Sequence, residues 1–473
     1  MQQCGTSERK MAELTGFSRP YISMMREGKR CSPNYERIKC LIYNLNLTAK
    51  EEKEVIDAYW QERLGKDNIY IYEEIRELIE SVNYINHTED TLYQNDIHGK
   101  QHVLPEHQYI KGELNVIQYA YMILENQKPG VVRVIAPGQK EEFCHVMSQA
   151  LYKNRDLYIE HIFTMDNEVS SREKNNIRIV KNVFSNVLNG NRYNAYYSYI
   201  KQQHCDINGL FPYCVLSNDY VMMISEDWKS AYMTSDLQLV ESYQLQYEIK
   251  KNQSQPLFTQ KADTEHLLDF VSAFISEAKI DTDESLYSLE YVPCLSLYLT
   301  TEILDAVQQD VPAELKMKTR EYLKQVEKLY QHKGTTNYFA MDGLIEFAQT
   351  GRIATIPEEL YRWFNPEERL VILENFLRDI KDNKIKVHII GNQSMHYPSE
   401  LAFYTNSEGN VCIYHMRNNN GNVFCINDKF ARESIYQYLK YLDKSKYMLN
   451  KKETVQMIET LINDLRDGKY KHK

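Results

Sequence analysis

Apolar residues recur at helical spacing through the first 85 positions. Met11 and Ala12 mark a helix over 7–15, and Ile22 and Met25 a second helix that starts at Ser18. Ile38, Leu41, Ile42 and Leu45 form the stripe of a third over 34–45. Gly16 and Gly28 stand as stops between them. Thr48 with Glu51 makes the capping-box pair of a fourth helix, which carries Val55, Ile56, Tyr59 and Trp60 on its apolar face and ends at Gly65. Ile71, Ile75, Leu78, Ile79 and Val82 continue the helical period. Residues 87–107 are polar and turn-like, and 114–124 are helical again.

From residue 131 strands enter. The pattern predicts a strand over 131–136, a helix over 141–153 and a strand over 157–163. Strands over 213–216 and 220–224 flank Ser217-Asn218-Asp219 as a hairpin, and a helix covers 236–250. Residues 262–332 read as mainly helical. A similar order then returns: helix 368–381, strand 385–390, strands 401–404 and 411–415 around the turn 406–410, and helix 428–442. His161-Ile162 and His388-Ile389 fall at matching points of the two first strands. Asp236…Glu241-Ser242 matches Asp428…Glu433-Ser434 before the closing helices. This pattern predicts a diverged internal duplication whose first copy carries a longer insert around 165–211.

The expected fold class is therefore α+β and multidomain. An all-α bundle occupies 1–66, a helical connector 67–128, an α/β unit 129–255, a second helical connector 256–337 and a second α/β unit 338–473. A chain of 473 residues is too long for one core. No run of about 18 apolar residues is present to span a bilayer, and the first residues lack an apolar signal core, so a cytoplasmic location and no membrane partner are expected. Nine scattered cysteines without a Cys-x-x-Cys spacing read as reduced thiols rather than a zinc site or a disulfide frame.

Charge changes the picture at one end. Residues 1–48 hold eight basic side chains (Arg9, Lys10, Arg19, Arg26, Lys29, Arg30, Arg37, Lys39) against four acidic ones (Glu8, Glu13, Glu27, Glu36), a net of +4. The whole chain is at −10, so the other 425 residues sum to −14. A polyanion is drawn to the first tenth of this chain and repelled by the rest.

That basic segment carries the strongest motif: Glu8-Arg9-Lys10-Met11-Ala12-Glu13-Leu14-Thr15-Gly16-Phe17-Ser18-Arg19-Pro20-Tyr21-Ile22-Ser23-Met24-Met25-Arg26-Glu27-Gly28-Lys29-Arg30. It resembles, without a gap, the helix-turn-helix of the lambda-repressor/Cro-like (XRE) regulators, over residues 6 to about 60. The resemblance makes Ala12 the close-approach residue, Gly16 the left-handed turn, Phe17 the buried turn side chain, Ser18 the cap of the recognition helix, and Ile22 and Met25 its core positions. Gly28-Lys29-Arg30 matches the family's stop. It implies a cytoplasmic, bacterial-type transcription regulator that binds double-stranded DNA, as a homodimer on a roughly palindromic site. Two features depart from the family. Glu8 stands where Gln is usual, and the family's first helix has no counterpart in the seven residues before it. An upstream helix, or another segment covering that face of the bundle, is the expectation.

A major groove admits one helix whose early residues reach base edges. On the second helix Arg19, Tyr21, Ser23 and Met24 are the expected exposed readers. Arg19 suits guanine or a phosphate, and Tyr21 and Met24 suit a thymine methyl or a sugar. Ser18 begins that helix. Lys29 and Arg30 are placed for phosphates, and Arg9 lies near a helix N-terminus that favours the backbone.

Elsewhere the chemistry is sparse. His98 and His102, with His107 nearby, sit in a loop without a further ligand, and solvated histidines are the expectation. Phosphate-cradle and nucleophile-elbow motifs are missing. Carboxylate pairs such as Glu141-Glu142 lie at helix starts, where the dipole favours them. No catalytic residue, metal or cofactor is expected. Tyr193, Tyr196, Tyr197 and Tyr199 read as a helix in the insert, packed in a core or, with Phe211-Pro212-Tyr213, lining a groove for an unidentified small-molecule or peptide effector. The alternative to a DNA reader is a protein-interaction scaffold with a vestigial helix-turn-helix. An α/β enzyme is a more distant third reading.

Overall fold

Strands rich in Val, Ile, Leu and aromatic residues pair into two separate mixed sheets, while the N-terminal segment stays helical. The fold is α+β and multidomain. The computed structural model describes residues 7–31, 35–45, 47–85, 104–126, 129–168, 172–199, 210–262, 286–331, 335–354, 356–391, 395–406, 408–417, 420–445 and 447–470. Two compact units result: Met1–Glu73 with Lys444–Lys446, and Glu74–Asp443 with Tyr447–Lys473.

In the first unit α1 (Glu8–Thr15), α2 (Arg19–Arg26), α3 (Tyr35–Leu45) and α4 (Ala49–Leu64) follow one another. The start of α5 (Lys66–Ile85) also counts with this unit, and its later residues with the second. Thr48 and Glu51 close the expected capping box of α4. The core joins Met11 and Phe17 to Ile22, Ile38, Leu41 and Ile42, with Tyr59 and Trp60 of α4 closing it. Val55, Ile56 and Ile69 pack against that core. Tyr59 and Trp60 of α4 thus share one buried cluster with Met11 of α1 and Ile22 of α2.

In the second unit the first sheet takes β1 (His107–Lys111), β2 (Gly130–Ile135), β3 (Leu157–Met165), β4 (Tyr193–Tyr199), β5 (Tyr213–Leu216), β6 (Val221–Ile224), β7 (Ser230–Thr234) and β8 (Gln255–Pro256). Its order is β1-β7-β6-β5-β2-β3-β4-β8. Three strands, β2, β3 and β4, are parallel, with Val134 beside His161 and His161 beside Ala195. Helices α7 (Glu141–Lys153) and α8 (Arg172–Val187) make the crossovers. The remaining strands are antiparallel. Helices α6 (Glu113–Glu125) and α9 (Leu237–Asn252) complete this half.

The second sheet takes β9 (Phe258–Ala262), β10 (Leu286–Glu290), β11 (Thr335–Ala340), β12 (Lys386–Ile390), β13 (Leu401–Asn406), β14 (Val411–Arg417) and β15 (Asn420–Ile426). Its order is β12-β11-β10-β13-β14-β15-β9. Again the three strands β10, β11 and β12 are parallel and the rest antiparallel. Its helices are α10 (Thr301–Val307), α11 (Ala313–Gln331), α12 (Met341–Thr350), α13 (Pro366–Lys381), α14 (Lys429–Leu442) and α15 (Lys451–Arg466).

Both the chain order and the neighbour order of β1 to β7 are repeated by β9 to β15. The two α/β units are therefore duplicates in topology, in a phase that differs from the expected one. His161 lies on β3, whose counterpart is β11, whereas His388 lies on β12, the counterpart of β4. The two histidines do not correspond. Asp236 and Asp428 do: each follows the last strand of its repeat and caps the closing helix, α9 or α14, through its side chain. No insert is needed either, because α8 and β4 fill 172–199 as regular parts of the first repeat.

The stretch expected to be a helical connector over 67–128 supplies β1 and α6 as well as α5, and the one over 256–337 supplies β9, β10 and the start of β11. Leu257, the residue between β8 and β9, bridges the two sheets. Its N–H donates to the Ala195 carbonyl at 2.8 Å, and its carbonyl accepts from the Asn427 N–H at 2.9 Å. Helix α8 packs on α14, and Phe184 lies 6.4 Å from Phe258 and 6.5 Å from Phe403, ring centre to ring centre. With Ile177, Ile179, Val180 and Val183 also buried, α8 is apolar on more than one face, as a helix enclosed on several sides requires.

Candidate nucleic-acid interface

Ser7 starts α1 by accepting the Lys10 N–H at 3.3 Å, and Gly16 ends it in the left-handed region, at φ 69°, with its N–H on the Ala12 carbonyl. A side chain with a Cβ pays a steric cost there, which is why glycine suits this turn. Phe17 is buried beyond it. Ser18 then takes the extended conformation of an N-cap. Its carbonyl accepts the Ile22 N–H at 3.1 Å, but its hydroxyl makes no capping bond. The cap expected there is a backbone cap only. Arg19 and Pro20 occupy the first two helical positions, where proline costs no intrahelical hydrogen bond. Gly28, at φ 68°, stops the helix, and the Lys29 N–H reaches back to the Met24 carbonyl at 2.9 Å.

The outer face is polar and cationic. The side chains of Arg19 and Lys29 are each 70% exposed and that of Arg9 is 82% exposed, so all three extend into solvent. Ser18 and Arg30 are exposed as well, and Ser23 and Met24 are half-buried. Tyr21 departs from its expected place among the readers. Its ring stacks on Phe17 at 4.9 Å and 28°, and its hydroxyl donates to the Cys31 carbonyl at 2.8 Å. That side chain braces the turn after α2, and the Arg30 guanidinium lies 5.3 Å from its ring centre. A phenol spent on a backbone carbonyl is poorly placed to pack on a base.

Carboxylates thread this face. Glu8 lies 2.9 Å from Arg26 and 3.8 Å from Arg19, Arg9 pairs with Glu13 at 3.3 Å, and Lys29 with Glu27 at 2.8 Å. The Arg9–Glu13 and Lys29–Glu27 pairs are exposed and worth only about 0–1 kcal/mol, whereas the Glu8 side chain is only 19% exposed. Arg26 is the residue that sequence reasoning passed over. It stands seven residues after Arg19, two helical turns on, and so shares its face. The heptad spacing was the signal.

The tyrosine cluster is a strand, not a helix. On β4 the side chains alternate, with Tyr193 and Tyr197 buried and Tyr199 half-buried on one face and Tyr196 half-buried on the other. The Tyr193 hydroxyl is 2.8 Å from Nδ1 of buried His161, whose Nε2 donates to the Ala136 carbonyl at 3.0 Å. Tyr213 sits on β5, and β2 and β3 lie between β5 and β4, a separation of about 14 Å at ordinary strand spacing. The two tyrosine groups therefore stand three strands apart in the first sheet. His107, on β1, is 2.8 Å from the Thr234 hydroxyl, whereas His98 and His102 lie outside the described residues. Among the described residues no three His, Cys, Asp or Glu side chains gather as a metal site, and no helix is long and apolar enough to cross a membrane.

No family model matches the chain, and no curated protein matches it. Among solved structures, TrmBL2, an archaeal chromatin protein, aligns over 53% of this chain and 88% of its own, at 11% identity and a TM-score of 0.25. Phosphatidylserine synthase of Haemophilus influenzae Rd KW20 aligns over 77% and 94%, at 9% identity and a TM-score of 0.26. Polyphosphate kinase from Porphyromonas gingivalis aligns over 77% and 55%, at 10% identity and a TM-score of 0.24. Likenesses this distant identify no family.

Proposed function

We propose that this protein is a sequence-specific regulator that binds double-stranded DNA through α2, with α1 and α2 acting as an XRE-type helix-turn-helix. The observation that supports it most is the placement of Arg19: first residue of α2, 70% exposed, with Arg26 on the same helical face and Lys29 just beyond the stop. In this reading Arg19 contacts a base edge, Ser18, Ser23 and Met24 fill the groove around it, and Arg9, Arg26, Lys29 and Arg30 hold phosphates. The acidic remainder of the chain limits contact to this end. One such helix offers few base contacts, so two copies act together as a homodimer on half-sites about 34–36 Å apart. The duplicated α/β units serve as sensor or dimerisation scaffold, for an effector that is a small molecule or peptide, and the protein performs no catalysis.

The test is a mobility-shift titration of full-length protein on the DNA upstream of its own coding region. Arg19→Ala is expected to weaken binding by about 1–3 kcal/mol and to relax preference at one base pair. Unchanged affinity and preference in that variant would remove α2 from the groove.

A second reading, a protein-interaction scaffold with a vestigial reader, draws on the carboxylates of Glu8, Glu13 and Glu27 already seated on Arg26, Arg9 and Lys29. Salt separates the two. DNA binding that weakens steeply with added salt supports the reader, and weak, salt-insensitive binding supports the scaffold.

A further inference from the structure

Cys412 lies on β14 and Cys425 on β15, directly opposite each other in the antiparallel register. Their Sγ atoms are 3.0 Å apart, closer than two sulfur atoms in simple van der Waals contact. Opposed residues of an antiparallel pair hold their Cβ atoms about 4.5–5.5 Å apart, and a disulfide has about 3.5–4.5 Å between Cβ atoms. Bond formation here therefore needs the two strands to draw together by up to about 1 Å at this pair, with a side-chain rotation and no change of strand register. Both strands are held from outside, β14 by β13 and β15 by β9, so the two sulfurs are kept facing each other.

Access to the pair is graded. Cys412 is 3% exposed, within a cluster of Ala402, Tyr414, Met416 and Val423, whereas Cys425 is half-buried. An oxidant from solvent meets Cys425 first and finds Cys412 directly behind it. A thiol poised next to a second, resolving thiol is the arrangement that converts oxidation into a reversible disulfide rather than a dead-end acid.

We propose that Cys412 and Cys425 form an oxidation site that closes to a cross-strand disulfide on reaction with hydrogen peroxide. The Cys425 sulfur attacks one peroxide oxygen. The O–O bond breaks, one water leaves, and Cys425 becomes a sulfenic acid. The Cys412 sulfur then attacks the Cys425 sulfur. The S–S bond forms, the S–O bond breaks, and the hydroxyl departs with the Cys412 proton as a second water. The two thiols lose two electrons and two protons, and the peroxide is reduced to two waters. A dithiol reductant reverses the step through a mixed disulfide. This site is independent of the DNA-binding reading.

The experiment uses reduced full-length protein treated with hydrogen peroxide, then blocked with N-ethylmaleimide under denaturing conditions, digested and analysed by mass spectrometry. The expected product is a peptide pair joined through Cys412 and Cys425, lost on treatment with dithiothreitol. In Cys425→Ser under the same treatment, Cys412 is expected to carry the maleimide. Maleimide on both Cys412 and Cys425 in peroxide-treated wild type would overturn the proposal. So would a Cys425 sulfinic acid beside a maleimide-capped Cys412, or Cys425 joined to any other cysteine.

Discussion

Oε1 of Glu8 lies 2.9 Å from Nη1 of Arg26, joining the first residue of α1 to the last residue of α2. Oε2 of the same carboxylate is 3.8 Å from Nε of Arg19. One acid thus addresses both arginines on the outer face of α2. In a free protein it offsets their charge. Against DNA it competes with phosphate for the same guanidinium groups.

Glu8→Gln is accordingly expected to strengthen DNA binding. Removing the carboxylate releases Arg19 and Arg26 and takes a negative charge from the face proposed to meet phosphates. Both arginines stay partly exposed and solvent-screened, so the gain is about 1 kcal/mol, or about fivefold in affinity. Fluorescence anisotropy with a labelled duplex, read at moderate salt, measures it. An unchanged or weakened affinity in a folded variant contradicts the role assigned to Glu8.

Lys29→Ala tests a phosphate contact rather than a base contact. Lys29 follows the αL stop of α2 and is 70% exposed. Its loss is expected to weaken binding to all sequences alike and to lower the slope of log affinity against log salt by about 1. A change in base preference with an unchanged slope would contradict that assignment.

Glu290 makes stability depend on pH. It ends β10 with 8% exposure and accepts the Tyr404 hydroxyl at 3.3 Å, and burial pushes its carboxyl up to about 7. Between the ordinary value of 4.5 and about 7 the folded protein holds a proton that the unfolded chain has released. This group's contribution is therefore full below that window, falls as pH rises through it by about 3 kcal/mol, and is flat above. His161, buried without a charge partner and pushed down to about 4, acts with the opposite sign below its ordinary 6.5, because there the unfolded chain takes up the proton. Denaturant titrations of wild type and Glu290→Gln at about pH 5 and about pH 8 separate the two, since the variant loses only the Glu290 slope. Equal pH dependence in both proteins would refute it.

Two glycines distinguish strain from clash. Gly16 (φ 69°) has nothing within 4 Å of an added Cβ, so Gly16→Ala is expected to cost the left-handed penalty alone, about 1–2 kcal/mol. Gly351 (φ 77°) would place a Cβ 2.0 Å from the Phe364 carbonyl oxygen, so Gly351→Ala forces α12 away from the segment before α13 and costs more. Thermal denaturation compares them, and a smaller loss in Gly351→Ala than in Gly16→Ala would contradict the close approach.

The helices of the first unit were legible because each carried a cap, a stripe and a stop within its own residues, as Ser7, Met11 and Gly16 do for α1. Strands β2, β3 and β5 were legible as apolar runs beside turn residues. Strand β10 was not. All five residues of Leu286–Glu290 are buried, yet Ser288 and Glu290 break the apolar run, and Ser288 donates to Asn337 of β11, 49 residues away. Missing β10 shifted the phase of the duplication by one strand and made an insert of α8 and β4. The bracing bond of Tyr21 was not legible for a similar reason: its partner, the Cys31 carbonyl, lies beyond the end of its own helix. Local pattern carried the elements, and partners distant in sequence decided the exceptions.

The most direct test of the central claim, that α2 enters a major groove, is selection from a randomised duplex library by full-length protein, followed by salt titration of the winner. Two half-sites about 34–36 Å apart and an affinity that falls steeply with added salt are expected. Arg19→Ala should select the same site with one base pair released. A wild-type protein that enriches no sequence, or an Arg19→Ala variant that selects the same site with equal affinity, would contradict it.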